Sequence, residues 1–373
     1  MKRANQYGLL LVAGSHTHQE NYARAFAADG RCRLVGLTNE PNVSDRRRAL
    51  DRRLASELDV PFLDDFDAAL GRDDVDIVCV CADSERAGEV AATCARAGKH
   101  VYLDKPPASS VTAARELAAA AAESGVCSQM FSMVRSRALL ESGRLGQLVG
   151  RHCELTFAKG PAGSADLSRP RRERATAERF TFIDSKRELF CVGVYPLVLF
   201  QWLTGAKFET VYASTSNYFF AEHQQNDVED FACLLMQMTG GIDATITVGR
   251  TGWTSHPGHG AHQVHLIGTQ GSETVDAWRP RLEVYSSAPR WSPPVRHPED
   301  PMGFWASTQR ESGMKEKTEW LPVATPLASD ASHFLDCIDA GRPSDVPASV
   351  GAHAVEVILS AYRSAAEGTP VAV

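Results

Sequence analysis

Three groups of residues have types and spacings that could do chemistry. The first is Lys105, which follows the apolar run "HVYL" and Asp104 and is locked by Pro106 and Pro107. A lysine at the end of such a strand stands on the ligand-binding edge of a parallel sheet. The second is the pair Cys191 and Tyr195, one helical turn apart and therefore on one face; spacing alone reads Tyr195 as a helix aromatic packed in the core. A phenol titrating at about 10 is a poor base, but a neighbouring ammonium stabilises the phenolate and lowers that value. A lysine beside a tyrosine would therefore favour the phenolate.

The third group is the turn in "LLLVAGSHTHQENYARAF". A dinucleotide turn G-x-G-x-x-G uses its glycines for the turn, for close approach to the pyrophosphate and for helix packing. Here the positions read Gly14, His16 and Gln19, so only the turn glycine remains. The helix beyond Gly14, Ser15, His16 and Thr17 still offers amides and a positive dipole to a phosphate. The pyrophosphate is expected slightly farther from the backbone, with the His16 imidazole supplying a hydrogen bond. At the end of the second strand, where a carboxylate would hold the ribose hydroxyls, stand Asn39 and Glu40, followed by Arg46, Arg47 and Arg48. An acid favours NAD, and its loss beside an arginine tolerates NADP, so the cofactor expectation is NAD or NADP with a slight lean to NAD. The arginines themselves read as the solvated face of a helix. Ala82, Asp83, Asp104 and Pro106, at the ends of later strands, complete the expected cofactor contacts.

Two further patterns invite chemistry and are read otherwise. His256, His259, His262 and His265 recur every third residue, but three lie in a Gly/Pro loop and the last enters a strand, so a polar loop is expected and no metal site. Arg169, Arg171, Arg172 and Arg174 read as a solvated loop.

The elements that must position these residues follow from periodicity. From Gly8 to about Phe131, the short apolar runs "GLLLVAG", "CRLVGLT", "VPFL", "DIVCVCA", "HVYLDKP" and "GVCSQMF" alternate with helical stretches, two of which end in Gly. Repeated βα units require a parallel, doubly wound sheet of Rossmann type, here expected over residues 1–131. In residues 132–373 a strand "RHCELTFAKG" is followed by one long helix, "SKRELFCVGVYPLVLFQWLTG", with a capping box of Ser185 and Glu188 and a stop at Gly205. Successive strand-like runs then predict an α+β domain with a large, mostly antiparallel sheet, and two closing helices that could return to the first domain.

Composition bounds the partners. With 43% hydrophobic and 23% charged residues over 373 positions, the chain can build two cores, and a net charge of -7 leaves no footprint for nucleic acid. Nine cysteines, odd in number and without C-x-x-C, suit reduced thiols and a cytoplasmic protein. No segment reads as a signal peptide or a membrane span.

The run from "DVDIVCVCADSERAGEV" through "AGKHVYLDKPPASS" and "AAAAAESGV", with "SGRLGQLVG", "DVEDFACLLM", "LIGTQGSETVDA" and "SAAEGTPVAV", resembles the glucose–fructose oxidoreductase / inositol dehydrogenase (GFO/IDH/MocA) family over nearly its whole length. Asp104-Lys105-Pro106 is similar to that family's E-K-P motif, which implies a catalytic Lys105 that polarises the substrate oxygen. Cys191-x-Gly193-x-Tyr195 is similar to its D-x-G-x-H or D-x-G-x-Y motif, which implies a place for both side chains at a bound substrate, with Tyr195 as acid/base and a substrate-binding carboxylate replaced by Cys191. The resemblance implies an NAD(P)-dependent oxidoreductase acting on a secondary alcohol or ketone of a sugar, cyclitol or glycoside, and a homodimer or homotetramer formed through the C-terminal sheet. Two alternatives stay open: a catalytically silent sugar- or cofactor-sensing protein, and a glycosidase or epimerase that oxidises its substrate transiently with bound NAD.

Overall fold

The structure is a computed structural model that describes residues 6–15, 18–131, 145–157, 165–166, 168, 187–251, 260–276, 281–286, 318–322 and 329–373. Tyr7–Val12 (β1) sets the architecture. Leu9 and Leu11 point to one face and Leu10 and Val12 to the other, yet all four are buried because helices cover both sides of the sheet. With Cys32–Thr38 (β2), Ile77–Val80 (β3), His100–Leu103 (β4) and Ser128–Met130 (β5) it forms a parallel sheet of order β2-β1-β3-β4-β5. The strand expected at "VPFL" is reduced to one bridge, Leu37 to Phe62, on the outer edge of β2. That bridge consists of Leu37 N–H to the Pro61 carbonyl and Leu63 N–H to the Leu37 carbonyl, so it needs no N–H from Pro61. The strand order reverses between β1 and β3, the switch point at whose carboxyl ends open sheets of this kind bind ligands.

Helices Gln19–Ala27 (α1), Asp45–Glu57 (α2), Phe66–Leu70 (α3), Ser84–Arg96 (α4) and Val111–Glu123 (α5) connect these strands. The buried residues of α2 are Arg47, Asp51, Leu54 and Ala55, one continuous stripe at helical spacing. Arg47 therefore faces inward, and only Arg46 of the arginine run is fully on the solvated side.

The second sheet has nine strands: Leu148–Phe157 (β6), Phe208–Ser216 (β7), Phe231–Met238 (β8), Ile242–Arg250 (β9), His262–Gly268 (β10), Gly271–Asp276 (β11), Arg281–Ser286 (β12), Thr318–Pro322 (β13) and Val371–Ala372 (β14). Their order is β13-β12-β11-β10-β6-β9-β8-β7-β14, antiparallel throughout except for β6 beside β9. One face alternates inward, as in Ala232, Leu234, Met236 and Met238 of β8. The other leaves Val149, Tyr212, Leu235 and Ile267 exposed.

The single helix expected over 185–205 is two: Glu188–Val192 (α6) and Val194–Thr204 (α7). The break falls at Gly193, where a Cβ would lie 2.5 Å from the Leu189 carbonyl oxygen. Ser185, one half of the expected capping box, lies outside the described residues; Arg187 is the N-cap of α6, and the Glu188 side chain turns inward. The stop at Gly205 is as expected, in the left-handed region with φ 68°. Between β7 and β8 the short helix Ala221–Gln225 (α8) buries His223 and Gln224. The closing helices are Ser329–Asp339 (α9) and Ala348–Glu367 (α10). Nearly every residue of α7 is buried, because α10 packs over it. Helix α10 also lies on α5 and β7, and α9 lies on α1, so one core runs from the parallel sheet into the second. No disulfide joins the nine cysteines.

Candidate active site

Asp104 and Lys105 leave β4 at the carboxyl edge of the parallel sheet. Asp104 is buried, and its Oδ1 accepts from Tyr22 Oη at 2.7 Å and from the Lys105 amide at 2.8 Å, with His18 Nδ1 at 3.2 Å. Burial alone would raise its carboxyl, but the hydrogen bond and charge of His18, with Lys105 and Tyr22, hold it below the usual aspartate range. Asp104 is thus a fixed anchor that ties α1 to the turn carrying Lys105.

From this turn the Lys105 ammonium reaches the second half of the chain. Its Nζ donates to the Cys191 carbonyl at 3.0 Å and stands 5.1 Å from the centroid of the Tyr195 ring. The expected group Lys105, Cys191 and Tyr195 does come together, although Cys191 meets the lysine through its backbone oxygen. Tyr195 is buried edge-on against Phe131, with ring centroids 6.2 Å apart, and among the described residues its hydroxyl has no hydrogen-bond partner. The lowered phenol expected from the lysine is not what this geometry produces. Burial pushes Tyr195 well above its ordinary value, and Asp104 and Cys191 push it further, because the ammonium lies over the ring face and not at the oxygen.

Beside this group stands a carboxylate that sequence reasoning had assigned to a helix cap. Glu188 is fully buried, and neither oxygen has a hydrogen-bond partner among the described residues. Arg250 Nε lies 2.8 Å from its Oε1 but off the N–H direction, so the contact is an ion pair, and His223 Nε2 is 3.9 Å away. Burial raises the Glu188 carboxyl, opposed by Arg250, His223 and Lys105. The spacing of Glu188, Cys191 and Tyr195, three and then four residues, was the available signal for a shared face.

The second cluster lies at the β1 turn. Gly14 presses on β3 so closely that a Cβ would sit 1.5 Å from the Cys81 carbonyl oxygen. Its N–H donates to Gln19 Oε1 at 2.6 Å, and the Ser15 N–H donates to Asp83 Oδ1 at 3.0 Å. Arg47, read above as part of a solvated face, is buried here and joins the expected residues. It donates to Asp51 Oδ2 at 2.7 Å and to Ser15 Oγ and Asp83 Oδ2, each at 3.1 Å, and also to the Ala13 carbonyl. Asn39 is buried and donates to Asp51, while Glu40 Oε2 lies 3.7 Å from Arg47 Nη2. Asn39 Oδ1 and Glu40 Oε2 are buried acceptors without a hydrogen bond. Burial raises the Glu40 carboxyl, against the pull of Arg47. Ala82 and Pro106 are buried at the same sheet edge, and His16 and Thr17 lie outside the described residues. The N-terminus of α1 touches both clusters, with Gln19 on Gly14 and His18 on Asp104.

His262 and His265 do not share a setting on β10: His262 is buried, and His265 stacks on His152 of β6 with centroids 5.9 Å apart. Among the described residues no three His, Cys, Asp or Glu side chains are grouped to hold a metal. His256, His259 and the arginines at 169, 171, 172 and 174 lie outside the described residues.

Among curated proteins none matches the chain. Solved structures match it along its whole length. Levoglucosan dehydrogenase, solved with NADH and levoglucosan, is 15% identical, with 99% of each chain covered and a TM-score of 0.75. The WlbA dehydrogenase of Bordetella pertussis, solved with NADH and UDP-GlcNAcA, is 18% identical, covering 99% of this chain and 98% of its own, with a TM-score of 0.70. The aldose-aldose oxidoreductase of Caulobacter crescentus, solved with glycerol, is 19% identical, covering 99% and 100%, also with a TM-score of 0.70. At these identities the likeness is one of fold. Two family models match adjoining stretches: "Oxidoreductase family, NAD-binding Rossmann fold" over residues 10–132, and "GFO/IDH/MocA C-terminal domain" over residues 133–273. With the doubly wound sheet and the two family models running end to end over residues 10–273, the chain belongs to the GFO/IDH/MocA family of oxidoreductases.

Proposed function

We propose that the chain exchanges hydride between a nicotinamide dinucleotide and a secondary alcohol or ketone of a sugar, cyclitol or glycoside, with Tyr195 as acid/base and Lys105 as its electrostatic partner. The observation that carries this reading is the meeting of Lys105, from the sheet edge, with Tyr195, from α7. Levoglucosan and UDP-GlcNAcA, bound by two proteins of like fold, support a sugar as the substrate class.

Residues 1–131 would hold the dinucleotide and residues 132–373 the substrate. The buried acceptors Asn39 Oδ1 and Glu40 Oε2 suit the hydroxyl donors of a ribose, which supports NAD over NADP because a 2′-phosphate would add charge beside Glu40. When bound, the nicotinamide supplies the hydride donor or acceptor. Lys105 has one N–H on the Cys191 carbonyl and two left to polarise a substrate oxygen. Tyr195, held neutral by burial, is a proton donor to a forming alkoxide; for oxidation, the substrate oxygen must draw the ammonium toward the phenol oxygen.

The test is a calorimetric titration of cofactor-stripped protein with NAD, NADH, NADP and NADPH, followed by a screen of sugars and cyclitols for hydride transfer. Micromolar binding of one pair and reduction or oxidation of a sugar are expected. Folded protein that binds none of the four would remove the reading. The exposed apolar side chains Tyr212, Leu235, Val149 and Ile267 support a second copy of the chain as the partner of the sheet's outer face.

A further inference from the structure

The β1 turn is already engaged by an anion of the protein itself. Asp83 places Oδ1 on the Ser15 amide at 3.0 Å and Oδ2 3.1 Å from Arg47 Nη1. A carboxylate held between a backbone amide and a guanidinium, at a strand-to-helix turn, uses the two kinds of partner that a phosphate uses. Arg47 is buried behind the turn by Asp51 and Glu40, whereas the Asp83 side chain is 34% exposed, so Asp83 is the member that can swing out. The buried acceptor Glu40 Oε2, 3.7 Å from Arg47 Nη2, suits a ribose hydroxyl of the same dinucleotide, next to the phosphate that Arg47 would take.

Resting on the dinucleotide reading above, we propose that Asp83 is an internal competitor for the cofactor's phosphate. Its carboxylate occupies the Ser15 amide and the Arg47 guanidinium, the dinucleotide binds by displacing it, and Arg47 then pairs with the phosphate. Cofactor affinity is therefore set by an exchange of one anion for another, and the close backbone approach lost with two of the three motif glycines is offset by a charged side chain of α2. Gln19, on the Gly14 amide, keeps that N–H bonded in both states.

The experiment is a calorimetric titration with NADH and with NADPH of wild type, Asp83→Asn and Arg47→Met. The Asp83→Asn variant keeps a side-chain acceptor for the Ser15 amide but loses the charge, so it is expected to bind about tenfold more tightly, on the scale of one charge-assisted hydrogen bond. Arg47→Met is expected to bind at least about tenfold more weakly. Asp83→Asn binding no more tightly than a wild type that does bind overturns the competitor role and leaves the dinucleotide reading standing. Absence of binding in wild type and Asp83→Asn alike overturns both. If Arg47→Met does not fold, the Asp83 variant, on a partly exposed side chain, decides alone.

Discussion

Asp104 and Tyr195 carry opposite electrostatic histories within one site, and each history is a prediction. Asp104 is held below the usual aspartate range, so the folded state favours its ionised form. Its contribution to stability is present at neutral pH and is lost as pH falls below that range. Asp104→Asn should cost about 1–3 kcal/mol in urea unfolding at pH 7, with the gap to wild type closing in acid; equal stability at pH 7 would show that the anchor is not needed. Tyr195→Phe removes the proton but keeps the ring against Phe131 and the lysine. Turnover should fall about 10²–10⁴-fold with the dinucleotide dissociation constant unchanged, and wild-type turnover would take Tyr195 out of its role. Lys105 was legible in the sequence because a strand end followed by proline fixes where a side chain emerges. Arg47 could have been found by reading the stripe of Leu54 and Ala55 backward to Asp51 and Arg47. Glu188 was hidden because its ending, inside the protein or on a helix cap, depends on Arg250, far later in the chain.

At the level of elements, the turn glycine proves to have a structural reason that no ligand is needed to explain. Gly14→Ala would drive a Cβ into the Cys81 backbone, so β1 and β3 must part. A loss of at least about 1–3 kcal/mol is expected by urea unfolding, and a neutral variant would show that the turn can give. Strand β11 supplies the second case. Glu273 is fully buried with neither oxygen hydrogen-bonded, and burial pushes its carboxyl up to about 7. The folded state then binds this proton more tightly than the unfolded chain. The group's contribution is complete below the ordinary glutamate value and is lost as pH rises to about 7, on the order of 3 kcal/mol in all. Glu273→Gln should flatten that slope and be the more stable protein at pH 8; an unchanged slope would locate the effect elsewhere. The βα units were legible because parallel strands buried on both faces are continuous apolar runs between helices. The two-residue β14 and the lone bridge at Phe62 were not, since hydrogen bonds to a distant partner define them and no periodicity does.

For the whole molecule, the apolar residues of the sheet's outer face should be covered in solution. Leu235→Lys, at the middle of β8, is expected to shift the chain toward monomer in light scattering after size exclusion, and a monomeric wild type would refute the second copy. No helix among the described residues is long and apolar enough to cross a membrane. A different consequence follows from α9 and α10, which close over both halves. Phe334 of α9 rests edge-on against Phe26 and Tyr102, and α10 lies on α5. During synthesis, the strands of the first sheet leave the ribosome long before either helix does. Until then Phe26 and Tyr102 lack the aromatic ring that packs against them, a partner that lies far away in sequence.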